Sequence, residues 1–298
     1  MPNDISSSIQ QQQGPLPLDA RFSILIPSWN NLPYLKLCVE SIRRHSHFPH
    51  QIIVHINQGT DGSLDWVRQE QMAHTYSAAN VGVCHALNAA RELVQTNFLL
   101  FLNDDMFCCP DWDLPLWQAI QRQPDERYFL SSTMIEPYAS GNPAVLAPYD
   151  FGRQPDDFRE ADLLRALPNM PKADWSGASW PPNLVPLSLW DQVGGYSVEY
   201  SPGFYSDPDF SRKLWEIGVR RFIGLGESRV YHFGRKSTVR IPKGKGKRLF
   251  VRKWGVTPAD FYRYYLRMGA SWQGSLEEPK PTWAFRWAKW KGWLKGFR

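Results

Sequence analysis

"NFLLFLNDD" (97–105) is the stretch on which the fold turns. Its Phe- and Leu-rich run has the length and composition of a strand buried on both faces. The run ends directly on Asp104 and Asp105. A buried charge is costly unless it is paired or holds a metal. Two carboxylates in this position either cap a following helix or grip a cation, and the stretch alone leaves both open.

Outward from it, the pattern repeats. "RFSILIPSW" (21–29) is an apolar β-rich run, and Leu32, Leu35, Val39 and Ile42 after it fall at helical spacing. "QIIVHIN" (51–57) reads as a second strand closed by the turn-rich "QGTDGS", with a helical stretch from Leu64. "HTYSAAN" holds a third short strand, and "GVCHALNAARELVQ" (82–95) is helical. Alternation of this kind predicts an α/β fold with a mainly parallel sheet covered on both faces. Ligands of such sheets gather at the carboxyl ends of the strands. Pro27–Asn30, Asn57–Asp61 and Asn103–Asp105 all fall at such ends. The middle of the chain is less regular. In "GFYSDPDFSRKLWEIG" (203–218) the second half reads as a helix closed by Gly218, and "RRFIGLGESRVYHFG" (220–234) as two short strands around a turn.

Hydrophobic residues make up 43% of the 298 and charged residues 21%, the balance of a folded domain rather than a disordered chain. No run approaches the ~18–20 apolar residues of a membrane span. Residues 1–20 are polar and lack an apolar core, so they read as a disordered lead-in, not a secretory signal. The four cysteines show no C-x-x-C pair or zinc spacing and suit a reducing, cytoplasmic setting. Charge is uneven: residues 235–253 carry nine Lys/Arg and no acid, and residues 281–298 carry five and no acid. The folded body before them is net acidic. An anionic partner is expected for the C-terminal quarter.

Several motifs in order resemble the inverting, family 2 glycosyltransferases with the GT-A fold. They are "ILIPSWNN", "NQGTDGS", "NVGVCHALNAA", "FLNDD", "VGGYSVEYSPGFYSDPDFSRKLWEIG" and "VYHFG", spread over about residues 21–240. The resemblance implies a Rossmann-like, mostly parallel sheet flanked by helices. It divides the chain into a catalytic domain (21–240), with a nucleotide-binding half (21–106) and an acceptor-binding half (107–240), then a basic and helical region (241–298). It implies transfer of a sugar from a UDP-, dTDP- or GDP-sugar to a hydroxyl of a glycan or lipid-linked acceptor, as in cell-surface polysaccharide synthesis. A diphosphate leaving group calls for positive charge, so Mn²⁺ or Mg²⁺ is expected.

The same resemblance assigns roles. Asp105 is the metal ligand, Asp104 sits beside it in contact with ribose or a metal-bound water, and Asn103 replaces the motif's first carboxylate. His232 is a further metal ligand. Asp207 is the general base that inversion requires, with Asp209 as its substitute; Ser206 stands where the family usually has Glu. Pro27, Ser28, Trp29, Asn30, Asn57 and Asp61 form the nucleotide end, with Trp29 suited to stack on the base. Ile56 stands where the family often has an Asp that reads the base. Asn88 and Arg91 approach the diphosphate or ribose. Arg235, Lys236 and Ser237, in the Gly- and cation-rich loop that follows His232, close over the phosphates. Trp175, Trp180 and Asn183 are candidate sugar or acceptor contacts.

On a helix, Trp283, Trp287, Trp290, Leu294 and Phe297 of the last segment share one face, with Lys289, Lys291, Lys295 and Arg298 off it. An aromatic stripe flanked by cations is the pattern of a helix lying on an anionic membrane, and a helix packed on protein is the alternative. The membrane reading makes the enzyme peripheral on the inner face. Two other functions fit the sequence less well. A nucleotidyltransferase would carry a Gly-rich, Lys-bearing loop after the first strand, which "PSWNNLPYLK" lacks. A non-catalytic glycan-binding protein would explain the tryptophans but not the paired aspartates. No RNA- or DNA-binding module is recognisable, so nucleic acid is not an expected partner.

Overall fold

The computed structural model describes residues 8–234 and 245–297. Its strands are β1 (Gln10–Gln12), β2 (Ser23–Trp29), β3 (Gln51–Asn57), β4 (Ala73–Ser77), β5 (Phe98–Phe101), β6 (Met106–Cys108), β7 (Tyr128–Ile135), β8 (Trp175–Ser176), β9 (Asn183–Pro186) and β10 (Arg221–His232). They form one sheet in the order β1-β4-β3-β2-β5-β9-β7-β10-β6, with β8 paired to β10. Strands β4, β3, β2 and β5 run parallel, as do β7 and β10, and β9 lies antiparallel between the two groups.

The central strands are apolar on both faces because each face feeds a separate core. Leu25, Ile53, Leu99 and Phe101 enter one cluster, while Ile24, Ile26, Val54, Leu100 and Leu102 enter the other. Helices supply the opposite walls: α1 (Leu32–His45) buries Leu35, Cys38, Val39 and Ile42, and α3 (Gly82–Arg91) follows the short α2 (Ser63–Gln69). Beyond them come α4 (Leu114–Gln121), α5 (Glu160–Ala166), α6 (Leu187–Val193), α7 (Ser206–Glu216) and α8 (Gly246–Trp254). A short α9 (Pro258–Asp260) runs into a π-helical turn, Phe261–Tyr265, and α10 (Trp283–Phe297) ends the described chain. None of the described helices is long and apolar enough to cross a membrane.

Three expectations are corrected. Gln10–Gln12, placed in a disordered lead-in, add an antiparallel edge strand to β4, which needs only backbone hydrogen bonds and so leaves no apolar signature. Residues 221–232 are one strand rather than two, because the irregularity between Leu225 and Arg229 is absorbed as a bulge. No helix follows Asp104 and Asp105: they form a turn that leads into β6, so the helix-cap reading falls away. The four cysteines are buried free thiols.

Candidate active site

The carboxyl ends of β2 and β3 lie in register, with Trp29 opposite Asn57 and Asn57 opposite Ser77. They open onto a cavity of about 1040 Å³. Pro27, Ser28, Trp29, Asn57, Asn103, Asp104, Asp105, Trp180, Asp207 and His232 all line it. The chain thus brings nine of its sequence-predicted site residues together from strand ends, a loop and a helix start far apart in sequence.

The floor is polar but incompletely satisfied. Asn57 is buried and accepts from the Val81 N–H (2.9 Å), fixing the entry to α3. The Trp29 indole donates to Gln58 Oε1 (2.5 Å), which holds the ring at the rim. Ser28 is buried, and its Oγ has no hydrogen-bond partner among the described residues. An unsatisfied buried hydroxyl costs about 1–3 kcal/mol, which a ligand able to bond it recovers.

Asp105 and His232 meet because β10 pairs with β6, placing His232 opposite Met106. Asp105 Oδ1 lies 3.5 Å from His232 Nε2, and Glu136 Oε1 lies 2.9 Å from Nδ1. Burial opposes the imidazolium, but the two carboxylates outweigh it and raise His232 to about 10. Glu136, at the end of β7, was missed in the sequence; a carboxylate just past a buried strand ("TMIEP") was the available signal. Among the described residues no group of three or more Asp, Glu, His or Cys side chains is arranged to enclose a metal. The donor set nevertheless fits a hard cation that takes most of its ligands from phosphate and water. Asp105 offers oxygen, and Glu136 orients His232 in the manner of a carboxylate behind a metal-bound imidazole.

On the facing wall, Asp207 lies in the first turn of α7, not at its cap: the residue before the helix is Tyr205, in a left-handed conformation (φ 69°). Burial pushes the Asp207 carboxyl up to about 7, and a 3.2 Å hydrogen bond donated by the Tyr196 hydroxyl works against that rise. Burial and the Asp207 charge hold the Tyr196 phenol well above its usual range, so it remains a donor. Tyr196 is a second residue missed in the sequence, its one signal being its place after Gly194–Gly195. Asn88 fixes it, donating to Tyr196 O (2.8 Å) and accepting from Tyr196 N (2.9 Å). A side chain at Gly195 would come within 2.5 Å of Asn88 Oδ1, so this contact requires glycine.

The remaining expected residues serve elsewhere. Asn88 is occupied by Tyr196, and Arg91 pairs with Asp191. Asn30 Oδ1 accepts from Thr60 N (3.0 Å), outside the cavity lining. Asp61 caps α1, accepting from Leu32 N (2.7 Å); burial opposes its charge, but bonds from Ser63 and Leu32 leave its pKa lowered. Asp209 does not line the cavity. It is buried and accepts from Ser197 Oγ (2.6 Å), Trp254 Nε1 (2.7 Å) and Lys253 Nζ (3.0 Å). Trp175 is buried, packed where any side chain at Gly224 would overlap it, and donates to Thr133 Oγ1 (2.9 Å). Asn183 is buried in β9 and donates to Ser179 O (3.2 Å). Arg235, Lys236 and Ser237 lie outside the described residues.

Comparison with known proteins adds to this geometry. The sequence profile of Glycosyl transferase family 2 matches residues 23–137, which run from β2 through the Asp104–Asp105 turn to Glu136. No curated protein matches in sequence. Among solved structures, one of S. aureus TarS (1–349) aligns at TM-score 0.51 with 14% identity, covering 71% of this chain and 60% of that one. The same protein in complex with UDP aligns at TM-score 0.50 and 14% identity, with the same coverage of both chains. GalNAc-T7, solved with UDP, GalNAc and Mn²⁺, aligns at TM-score 0.58 with 13% identity, covering 82% of this chain and 50% of that one. This chain therefore spans about half to three fifths of those structures, and the likeness is one of fold. Residues 23–137 thus match the profile of glycosyl transferase family 2, and the chain carries them on a GT-A-like fold.

Proposed function

We propose that the protein is a metal-dependent, inverting glycosyltransferase that moves a sugar from a nucleotide-sugar to an acceptor hydroxyl. The observation that carries this is Asp207. A carboxyl raised to about 7 on the wall of the cavity that also holds Asp105 and His232 is poised to take a proton near neutral pH. Asp207 accepts the acceptor's proton as its oxygen forms a bond to the anomeric carbon. The bond from that carbon to the diphosphate oxygen breaks in the same displacement, which inverts the centre. Asp105 and His232 would hold Mn²⁺ or Mg²⁺, which supplies charge neutralisation for the departing diphosphate.

The nucleoside lies at the ends of β2 and β3, where Trp29 offers an aromatic face and Ser28 an unused hydroxyl. TarS and GalNAc-T7 are solved with UDP, which favours a UDP-sugar donor. Trp180 is the wall residue suited to stack on a sugar. The acceptor is a glycan or a lipid-linked sugar of cell-surface polysaccharide synthesis. Calorimetric titration with UDP-, dTDP- and GDP-sugars, in Mn²⁺ or in EDTA, tests the reading. Binding of one family of nucleotides in Mn²⁺, weakened in EDTA and in Asp105→Asn, is expected. No binding of any of them in Mn²⁺ would overturn it.

A further inference from the structure

Helix α10 sends its aromatic side chains in two directions. Phe285 is buried, with its ring 5.3 Å from Tyr264 and 5.8 Å from Tyr265, and Gly292 is buried beside the backbone of Gly255–Thr257. That side fastens the helix to the domain. Away from it, Trp283, Trp287 and Trp290 are 78%, 41% and 49% exposed. Every other tryptophan whose side chain is described is buried or half-buried. The three exposed rings stack on one another, at 5.8 Å and 8° and then at 4.8 Å and 21°. Large exposed apolar groups held in an ordered row mark an interaction surface.

The charge around this row identifies its partner. From residue 279 onward the sequence has six Lys/Arg and no acid. Arg286, Lys289 and Lys291 are exposed, and the Lys291 ammonium lies 4.9 Å from the Trp287 ring. Lys247, Arg248 and Arg252 are exposed on α8, against which α10 packs. Indoles settle at headgroup depth, and flanking Lys and Arg are drawn to anionic lipid.

The geometry points to Trp283, Trp287 and Trp290, with Arg286, Lys289 and Lys291, as a docking ridge for an anionic bilayer surface. Docking is mechanically tied to the cavity. The π-helical turn that holds Phe285 through Tyr264 and Tyr265 also carries Tyr262, whose hydroxyl accepts from the Trp180 indole (2.8 Å) on the cavity wall. One turn therefore joins the lipid-facing helix to the wall expected to meet the acceptor. Leu294 and Phe297, which the helical spacing adds to this stripe, lie outside the described side chains.

Co-sedimentation of the full chain with phosphatidylcholine vesicles, with and without phosphatidylglycerol, tests the ridge without requiring turnover, so its failure leaves the transfer reading intact. Binding to the anionic vesicles is expected, with release at high salt. Trp283→Ser/Trp287→Ser/Trp290→Ser is expected to weaken it by about tenfold or more, as scales with the apolar area lost from the interface. An unchanged thermal melt would exclude misfolding as the cause. Lys289→Glu/Lys291→Glu, which keeps the rings, is expected to weaken anionic binding as well. Wild-type protein that ignores anionic vesicles would overturn the proposal, as would a triple variant that binds them equally. So would self-association or oligonucleotide binding lost in the triple variant while vesicle binding persists.

Discussion

The Tyr196 hydroxyl donates a 3.2 Å hydrogen bond to Asp207 Oδ1, which among the described residues is the bond that opposes the burial of this carboxyl. It links the segment after Gly194–Gly195, pinned by Asn88, to the first turn of α7. The proposed base is thereby held in place and kept from rising further. A bond to the charged form lowers a carboxyl pKa, so its loss raises it.

Tyr196→Phe should therefore shift the acidic limb of the pH–rate profile upward from about 7. Activity at pH 7 is expected to fall about ten- to a hundredfold and to recover most of the way at higher pH, since a hydrogen bond to a charged group contributes about 1.5–3 kcal/mol. Equal loss at every pH would mean that Tyr196 acts on something other than the Asp207 proton.

Asp207→Asn should stabilise the protein while abolishing transfer. A carboxyl raised from its usual value to about 7 is neutral in both folded and unfolded chains at low pH. As pH climbs from about 4 to 7 the unfolded chain ionises first, and the buried group costs stability. The gain in Asp207→Asn is thus absent below about pH 4 and complete above about 7. Discounted for the water of the cavity, it is expected to be about 1–2 kcal/mol. Thermal melts across pH check it.

Asp209→Ala should behave in the opposite way. Asp209 is buried and ties α7 to α8 through Lys253 and Trp254. Its removal leaves the half-buried Trp254 indole N–H without its acceptor and Lys253 with fewer partners, a loss of about 2–3 kcal/mol. Denaturant titration should reveal that loss. A variant that kept full stability but lost transfer would return Asp209 to the list of bases.

Ser28→Ala removes a buried hydroxyl that has no partner. Its melting temperature should hold or rise slightly, while nucleotide affinity falls about tenfold, the worth of one recovered hydrogen bond. Unchanged affinity would remove Ser28 from the nucleoside contacts.

Much of this was legible in sequence, for a definite reason. Strands β2, β3 and β5 carry apolar side chains on both faces, and the polar residues that end them stand out by contrast. That contrast exposed Ser28, Asn57 and Asp105. Residues whose work is done through the backbone of another segment left no such mark. Asn88 and Asp61 have the polarity of ligand contacts but bond Tyr196 and Leu32 instead. Trp175 has a sugar-stacking ring, yet the missing side chain at Gly224 draws it into the core. Spacing reports which residue is polar or aromatic, not which neighbour satisfies it. Tyr196 and Glu136 were hidden for the same reason: each acts by orienting another side chain.

The central claim is tested most directly by nucleoside diphosphate release from a panel of sugar nucleotides, measured for wild-type protein and for Asp207→Asn with Mn²⁺ or EDTA. Release by wild type in Mn²⁺, its loss in EDTA and a fall of at least about a hundredfold in Asp207→Asn are expected of a general base. Full release by Asp207→Asn, or release indifferent to EDTA, would contradict the account.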